Sequence, residues 1–425
     1  MSNFLLLSEG GDSVGLGMRL LREGHDVRMW IREEGAAHYG EGLVDRAEDL
    51  DFGAVVIADC TGLGALCDSL RESGRLVYGG SLFHDKLESD RQFSRKVFKS
   101  HGIPTPNSKY LKGPKAWDDA TEIVAEYDGE TKLVFKPGGA CSGVIPSYVP
   151  HDNEDLLQML EFYRCKIGEI EPEFELQEFH EGVCISTEGW FDGEKFARPF
   201  NHTLETKALM PGNIGPSGGC TGNLVWAEGD DSSPTVQYLL RLAPFLAENG
   251  YMGPIDLNCV IGEDGIWALE FTPRFGYDAF PTFLYSLFDG DFGAFVSETV
   301  RGYAPETMLV RGGYGSGIRL TIPPWPNEQH EAPAGIPIRG FSSRDMDMLY
   351  LYDVRLKGED LVTSGGYGVI GVANGWGESI EAAFDDAYRI TRHAKIPDLQ
   401  FRNDMTETFQ KDYRRVGRIL SDVHA

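Results

Sequence analysis

Along residues 1–80 the apolar positions switch between two periods. Short apolar runs at Phe4–Leu7, Asp26–Ile31, Ala54–Ala58 and Arg75–Tyr78 read as strands, and Val14–Arg22 and Gly64–Glu72 carry the stripe of amphipathic helices. This β-α-β rhythm predicts a small parallel, doubly wound sheet. Gly10 and Gly11 lie at the first strand–helix junction, where glycine amides can hold a phosphate or simply allow the turn. Further on, Leu87–Ser100 predicts one amphipathic helix ending at His101-Gly102, before the exit Ile103-Pro104-Thr105-Pro106. A strand ending at Lys136 then meets a loop containing Gly138, Gly139 and Gly143. A lysine there can hold a nucleotide phosphate, although the order differs from a P-loop and a surface lysine also fits.

Phe174–His180 and Gly182–Trp190 read as strands, with a turn at Asp192-Gly193 before Phe196–Pro199. Glu178 is a candidate for an adenine or ribose contact. Gly212–Gly222 reads as a long glycine-rich loop, either disordered or shaped around a small ligand. Val236–Asn249 is a helix, and it leads into the most informative stretch, Gly253–Asp278. There Ile255–Ile261 and Ile266–Phe271 flank Gly262-Glu263-Asp264-Gly265 as a hairpin. Asp256, Asn258, Glu270 and Thr272 put oxygen ligands into these otherwise apolar strands, and Arg274 follows. Carboxylates beside a guanidinium suit magnesium-assisted phosphoryl transfer; the same acids also suit a plain surface hairpin facing water. A two-residue turn opposes Leu257 to Glu270. One bulged residue instead opposes Asn258 to Glu270 and Asp256 to Thr272, so a metal site predicts a bulge near Gly265.

Beyond it, Phe292–Arg301 reads as a helix, residues 310–372 as short strands punctuated by Gly and Pro, Gly368–Ala373 as a strand and Ser379–Ala394 as a helix. No internal repeat or low-complexity tract interrupts the chain.

Length and charge narrow the function. The 425 residues exceed one compact core and predict several domains. A formal charge of −27 disfavours non-specific binding to nucleic acid or an anionic membrane surface, while leaving room for a local basic pocket. The seven cysteines are scattered and form no CxxC pair, which predicts reduced thiols in the cytoplasm rather than disulfides or a zinc site. The N-terminal apolar run is too short for a signal peptide and no segment reaches spanning length, so the expectation is a cytoplasmic protein without membrane or nucleic-acid partners.

Taken in order, Arg91 on its helix, Lys136 before its glycine loop, Gln177-Glu178-Phe179, Gly215-Pro216-Ser217-Gly218-Gly219 and Leu269–Gly276 (LEFTPRFG) form a recognisable series. The chain resembles the ATP-grasp ligases and, among them, the glycinamide ribonucleotide synthetase (phosphoribosylamine–glycine ligase) family. The similarity runs nearly end to end. Gly365–Val369, Glu381–Tyr388 and Phe401–Asp404 resemble the C-terminal motifs that single out this family. The resemblance implies an α/β (α+β overall) ATP-grasp fold: an N-terminal Rossmann-like domain over 1–104, an ATP-grasp domain over 105–309 with a lid near 120–182, and a small C-terminal β-rich domain over 310–425.

It also implies chemistry and roles. The reaction would be ATP-dependent joining of a carboxylate to an amine through an acyl phosphate, with Mg²⁺ (or Mn²⁺) as cofactor and small-molecule amino acid and amine substrates, in purine biosynthesis. Arg91 and Lys136 would contact nucleotide phosphates, and Glu178 with Phe179 would line the adenine hinge. Glu270 would ligate the metal and Arg274 would stabilise the phosphorylated intermediate. Glu205 and Lys207 roughly match the family's acid–lysine pair on the acid-substrate side; Gly218 and Gly219 would contact substrate, and Gly10 and Gly11 would lie in the loop that holds the amine. A monomer or homodimer is expected.

The departures are equally specific. Thr272 stands where the family has an asparagine metal ligand, while Asp256 and Asn258 offer oxygens on the opposite strand. Val183-Cys184 replaces a pair of glutamates. Asp12 stands where the family has an arginine, and Asp59-Cys60-Thr61-Gly62 replaces its companion loop, so a phosphate on the amine would be repelled. The alternative reading is a non-catalytic nucleotide-binding protein on a decayed scaffold.

Overall fold

The computed structural model describes residues 1–127, 131–229, 231–327 and 330–423. It divides into two compact units. The larger comprises 1–85, 184–257 and 272–425; the smaller comprises 86–183 and 258–271.

In the larger unit the N-terminal segment is the expected parallel sheet. Its five strands lie in the order Asp45–Arg46, Asp26–Ile31, Asn3–Ser8, Val55–Ala58 and Leu76–Tyr78. The registers Phe4 to Val27 and Phe4 to Val55 are parallel. Helices Val14–Arg22 and Gly64–Glu72 match the sequence reading residue for residue. Leu5 and Leu7 pack into one buried cluster, while Phe4 and Leu6 pack into another, because successive strand residues face opposite ways.

An eight-stranded sheet runs in the order Gly265–Thr272, Gly253–Gly262, Val183–Phe191, Phe196–Met210, Ile214–Glu228, Tyr314–Thr321, Val369–Gly377 and Leu349–Leu351. Here two expectations are corrected. The strand beginning at Phe196 does not stop at Pro199 but continues to Met210, and the glycine-rich Gly212–Gly222 segment is not a loop: most of it belongs to the antiparallel strand Ile214–Glu228. Gly215 (φ 84°) and Gly219 (φ 76°) take left-handed backbone where the pairing shifts register between Thr206 and Met210. Glycines thus let a bulged hairpin form where composition suggested irregular chain.

In the smaller unit three antiparallel strands, Ser108–Lys112, Glu173–Glu178 and Leu133–Pro137, lie in that order. Phe135, Phe174 and Leu176 bury one face against helices Ala116–Glu126 and Asn153–Ile167, neither of which the sequence reading had identified. The expected helix Leu87–Ser100 is in fact two, Leu82–Ser89 and Arg91–Ser100. Asp90 breaks it, adopting extended backbone and accepting the Phe93 amide at 3.0 Å as an N-cap. A further unanticipated helix, Met405–Val423, buries Phe409, Val416 and Ile419 in the larger unit. No helix among the described residues is long and apolar enough to cross a membrane.

Candidate functional site

In the smaller unit the polar face of the three-stranded sheet gathers the phosphate-side candidates. With Phe135 turned into the core, Lys136 points the other way, as do Glu175 and Gln177 opposite Phe174 and Leu176. Burial lowers the Lys136 ammonium below the ordinary lysine range; Glu270 pulls it back up and Arg91 pushes it further down. Arg91 Nη1 lies 4.0 Å from Glu270 Oε2, and its Nε donates to the Pro137 carbonyl at 3.3 Å. Arg91, Lys136 and Glu270, separated by up to 179 residues in sequence (270 − 91), therefore share one neighbourhood. A cleft of about 710 Å³ opens beside Arg91, lined also by Tyr110, Lys112, Pro137, Gly139 and Glu175 among others.

Two further members of this cluster, Arg95 and Gln177, have no role assigned from the sequence, Gln177 being named only within its motif. Arg95 pairs with the buried Glu175, and Gln177, also buried, has an Oε1 with no hydrogen-bond partner among the described residues. The signal was available: Glu173, Glu175 and Gln177 alternate with Phe174 and Leu176, a strand with one polar face. The Lys136 glycine loop folds as a short 3-10 turn over Gly139–Gly143 around the buried Cys141. Glu178 and Phe179 lie where that strand ends. Glu178 accepts Asn107 Nδ2 at 2.8 Å, and the Phe179 amide donates to the Lys132 carbonyl at 2.9 Å. Lys132 Nζ sits 4.7 Å over the Phe179 ring.

The hairpin strands extend to Gly253–Gly262 and Gly265–Thr272. Only Glu263-Asp264 separate the two strands, and Gly265, the first residue after that turn, has φ 141°, a setting open to glycine. Asn258 and Glu270 belong to the smaller unit, Asp256 and Thr272 to the larger. Within the smaller unit Asn258 and Glu270 both offer oxygens, the donor type a hard cation requires. In the larger unit Asp256 is buried beside Glu188, a residue the sequence reading passed over. Burial and then the Asp256 charge push the Glu188 carboxyl up to about 8, while a hydrogen bond from Asn201 Nδ2 at 3.1 Å partly offsets them.

The substrate-side candidates lie in the larger unit. Glu205 and Lys207 project from one face of the strand Phe196–Met210. Burial raises Glu205, and Lys207 counteracts the shift. Gly218 and Gly219 lie on the adjoining strand, and the Gly218 carbonyl accepts Arg319 Nη1 at 3.4 Å. Arg319 is held bidentate by the fully buried Asp278, at 2.9 and 2.5 Å. The Arg274 guanidinium stacks 4.1 Å over Tyr277 and donates to the Phe275 carbonyl at 2.9 Å. The Gly11 amide donates to Ser8 Oγ at 2.9 Å, so that N–H is already engaged within the turn. The buried Asp59 accepts Ser8 Oγ at 2.5 Å and Ser13 Oγ at 2.7 Å.

No protein-family model matches the chain. Among curated proteins, the phosphoribosylamine–glycine ligase of Halalkalibacterium halodurans is 24% identical over 320 residues, covering 72% of this chain and 70% of the relative. That of Streptomyces coelicolor is 23% identical over 359 residues, covering 81% and 80%. Among solved structures, phosphoribosylamine–glycine ligase from Thermotoga maritima aligns with a TM-score of 0.73 at 18% identity, covering 94% of this chain and 99% of that one. Biotin carboxylase from Campylobacter jejuni aligns at 0.66 and 13% identity, covering 99% and 95%. N5-carboxyaminoimidazole ribonucleotide synthetase from Thermotoga maritima aligns at 0.58 and 14% identity, covering 93% and 99%. The chain has the ATP-grasp fold and is a homologue of the phosphoribosylamine–glycine ligases.

Proposed function

We propose that this protein is an ATP- and Mg²⁺-dependent carboxylate–amine ligase that forms an amide through an acyl phosphate. The observation that carries the reading is the convergence of Arg91, Lys136 and Glu270 on one polar face beside an open cleft. Two cations and a carboxylate, half-buried, are what the terminal phosphates of a nucleotide and a divalent ion demand, because a partly desolvated site strengthens each charge interaction. Lys136 and Arg91 orient phosphate oxygens, and Glu178 with Phe179 flanks the base. Asn258 and Glu270, both in the smaller unit, would hold Mg²⁺, whose contribution is to neutralise phosphate charge, and Asp256 and Thr272 are further oxygen-bearing candidates. The oxygen-only donor set and the unsatisfied Gln177 Oε1 fit such a charged, hydrated ligand.

Arg274 carries the remaining role, stabilising negative charge on the phosphorylated acid. A carboxylate oxygen is a poor leaving group; transfer of the γ-phosphoryl group to it makes phosphate the leaving group when the amine nitrogen attacks the carbonyl carbon. Glu205, Lys207, Gly218 and Gly219 are assigned to the acid substrate, glycine or a similar amino acid. The sequence divides into an N-terminal Rossmann-like segment, an ATP-grasp segment and a C-terminal β-rich segment at about residues 104 and 309, by the family's plan. A cytoplasmic location fits cysteines that form no disulfide among the described residues. The non-catalytic alternative is not favoured, since the curated relatives are ligases by name.

The test is ADP release with Mg²⁺-ATP and glycine, comparing phosphoribosylamine against a panel of other amines. Stimulation by an amine supports the ligase; ATP binding with no amine- or acid-dependent ADP release rejects it.

A further inference from the structure

Within the larger unit a small cavity opens at the first strand–helix turn, between Asp12 and Asp59 and under the rings of Phe275, Phe280, Tyr350 and Tyr352. It measures about 20 Å³, room for a group the size of a water molecule or an ammonium head. Its polar wall is acidic. Asp59 is only 8% exposed. Its Oδ2 accepts the two serine hydroxyls, but its Oδ1 meets no donor beyond the weak thiol of Cys60. Neither Asp12 nor Asp59 forms an ion pair among the described residues.

The cations that face this wall are committed elsewhere. Arg319 is held by Asp278, and Arg274 lies on Tyr277 and bonds to the Phe275 carbonyl. Asp353 adds a further buried carboxylate to the field around Asp12. A buried carboxylate (Asp59) and a half-buried one (Asp12) facing one cavity are costly unless a cation compensates them, and the surrounding aromatic faces favour a cation as well.

We infer that this cavity takes the ammonium head of an unphosphorylated primary amine and excludes phosphorylated ones. The inference rests on the ligase reading in assigning that amine as the acceptor substrate. It deepens that reading by naming the amine's class, a cationic amine with an apolar stem that lies against Tyr350 and Tyr352. Asp12, which burial and then Asp59 push up to about 7, should lose its proton as an ammonium binds. Binding should therefore release protons near neutral pH, a signature that a purely structural acid pair would not produce.

The experiment is calorimetric titration of the full chain with propylammonium chloride, in buffers of different ionisation enthalpy, alongside inorganic phosphate and ribose 5-phosphate. Propylammonium should bind with proton release, phosphate and ribose 5-phosphate should not compete, and Asp59→Asn and Asp12→Asn should each weaken binding by about tenfold or more. Thermal melts report whether each variant folds; if Asp59→Asn does not, Asp12→Asn carries the test. Competition by ribose 5-phosphate, or unchanged affinity in the folded variants, overturns the inference. Ribose 5-phosphate that competes in a chain still releasing ADP with phosphoribosylamine sinks the inference and spares the ligase. Propylammonium binding with no ADP release from any acid and amine sinks the ligase and leaves the cation site standing.

Discussion

The polar face around Lys136 and the cavity beside Asp12 are both partly desolvated, yet they carry opposite chemistry. At the first, Arg91, Arg95 and Lys136 face Glu175 and Glu270, so positive charge is available for phosphate and each carboxylate has a cation near it. At the second, Asp12 and Asp59 face each other, and both are pushed above the usual carboxylate range. The difference lies in what the cations do: on the first face they stand beside an open cleft, whereas at the second Arg319 and Arg274, which both act on Asp12, are bonded to Asp278 and to the Phe275 carbonyl.

The sharpest way to break that contrast is at Glu270. Glu270→Ala should reduce ADP formation by roughly 10²–10³-fold, the usual loss when a charge-stabilising group is removed, with an unchanged circular dichroism spectrum. Retained turnover would remove the nucleotide face from the mechanism. Lys136→Met should come next. Loss of a charge-assisted contact of about 1.5–3 kcal/mol should raise KM for ATP by about ten- to a hundredfold, measured by initial rates across ATP concentrations.

Asp256→Asn should act more gently and more selectively. The Mg²⁺ concentration for half-maximal rate should rise several-fold, well beyond any change in melting temperature. An unchanged Mg²⁺ dependence would assign Asp256 a structural role beside Glu188.

The smallest effect concerns pH. Glu188 is pushed up to about 8 from an unfolded value near 4.5. Folding thus favours its protonated form, and the associated stability is present below the unfolded value and lost as pH rises through about 8. Glu188→Gln, which keeps a neutral side chain that can still accept from Asn201, should flatten the decline in melting temperature between about pH 5 and 9. A slope identical to that of the parent protein would show that Glu188 does not titrate there.

Much of this was legible in the linear sequence. Helices Val14–Arg22 and Gly64–Glu72 declare themselves through short-range periodicity, which needs no partner to be read. The hairpin around Gly262–Gly265 does so through turn chemistry. Local signals misled where two readings shared one composition. Glycines in Gly212–Gly222 serve a bulged strand as readily as a loop, and Asp90 reads as one more polar residue on a helix until its backbone turns extended and caps the next one.

What the order of residues determined by itself was local: the periodic strands and helices of residues 1–80, the oxygen ligands that interrupt Gly253–Thr272, and an aspartate, Asp12, in the first strand–helix turn. Only the tertiary structure decided which charges meet. Arg95 with Glu175, and Arg91 with Glu270, are pairs made by packing, and Asp12 shares a cavity wall with Asp59 only once two parallel strands lie side by side. Periodicity is a property of neighbours along the chain, whereas electrostatic energy depends on distance and burial, and those come into being only with the fold.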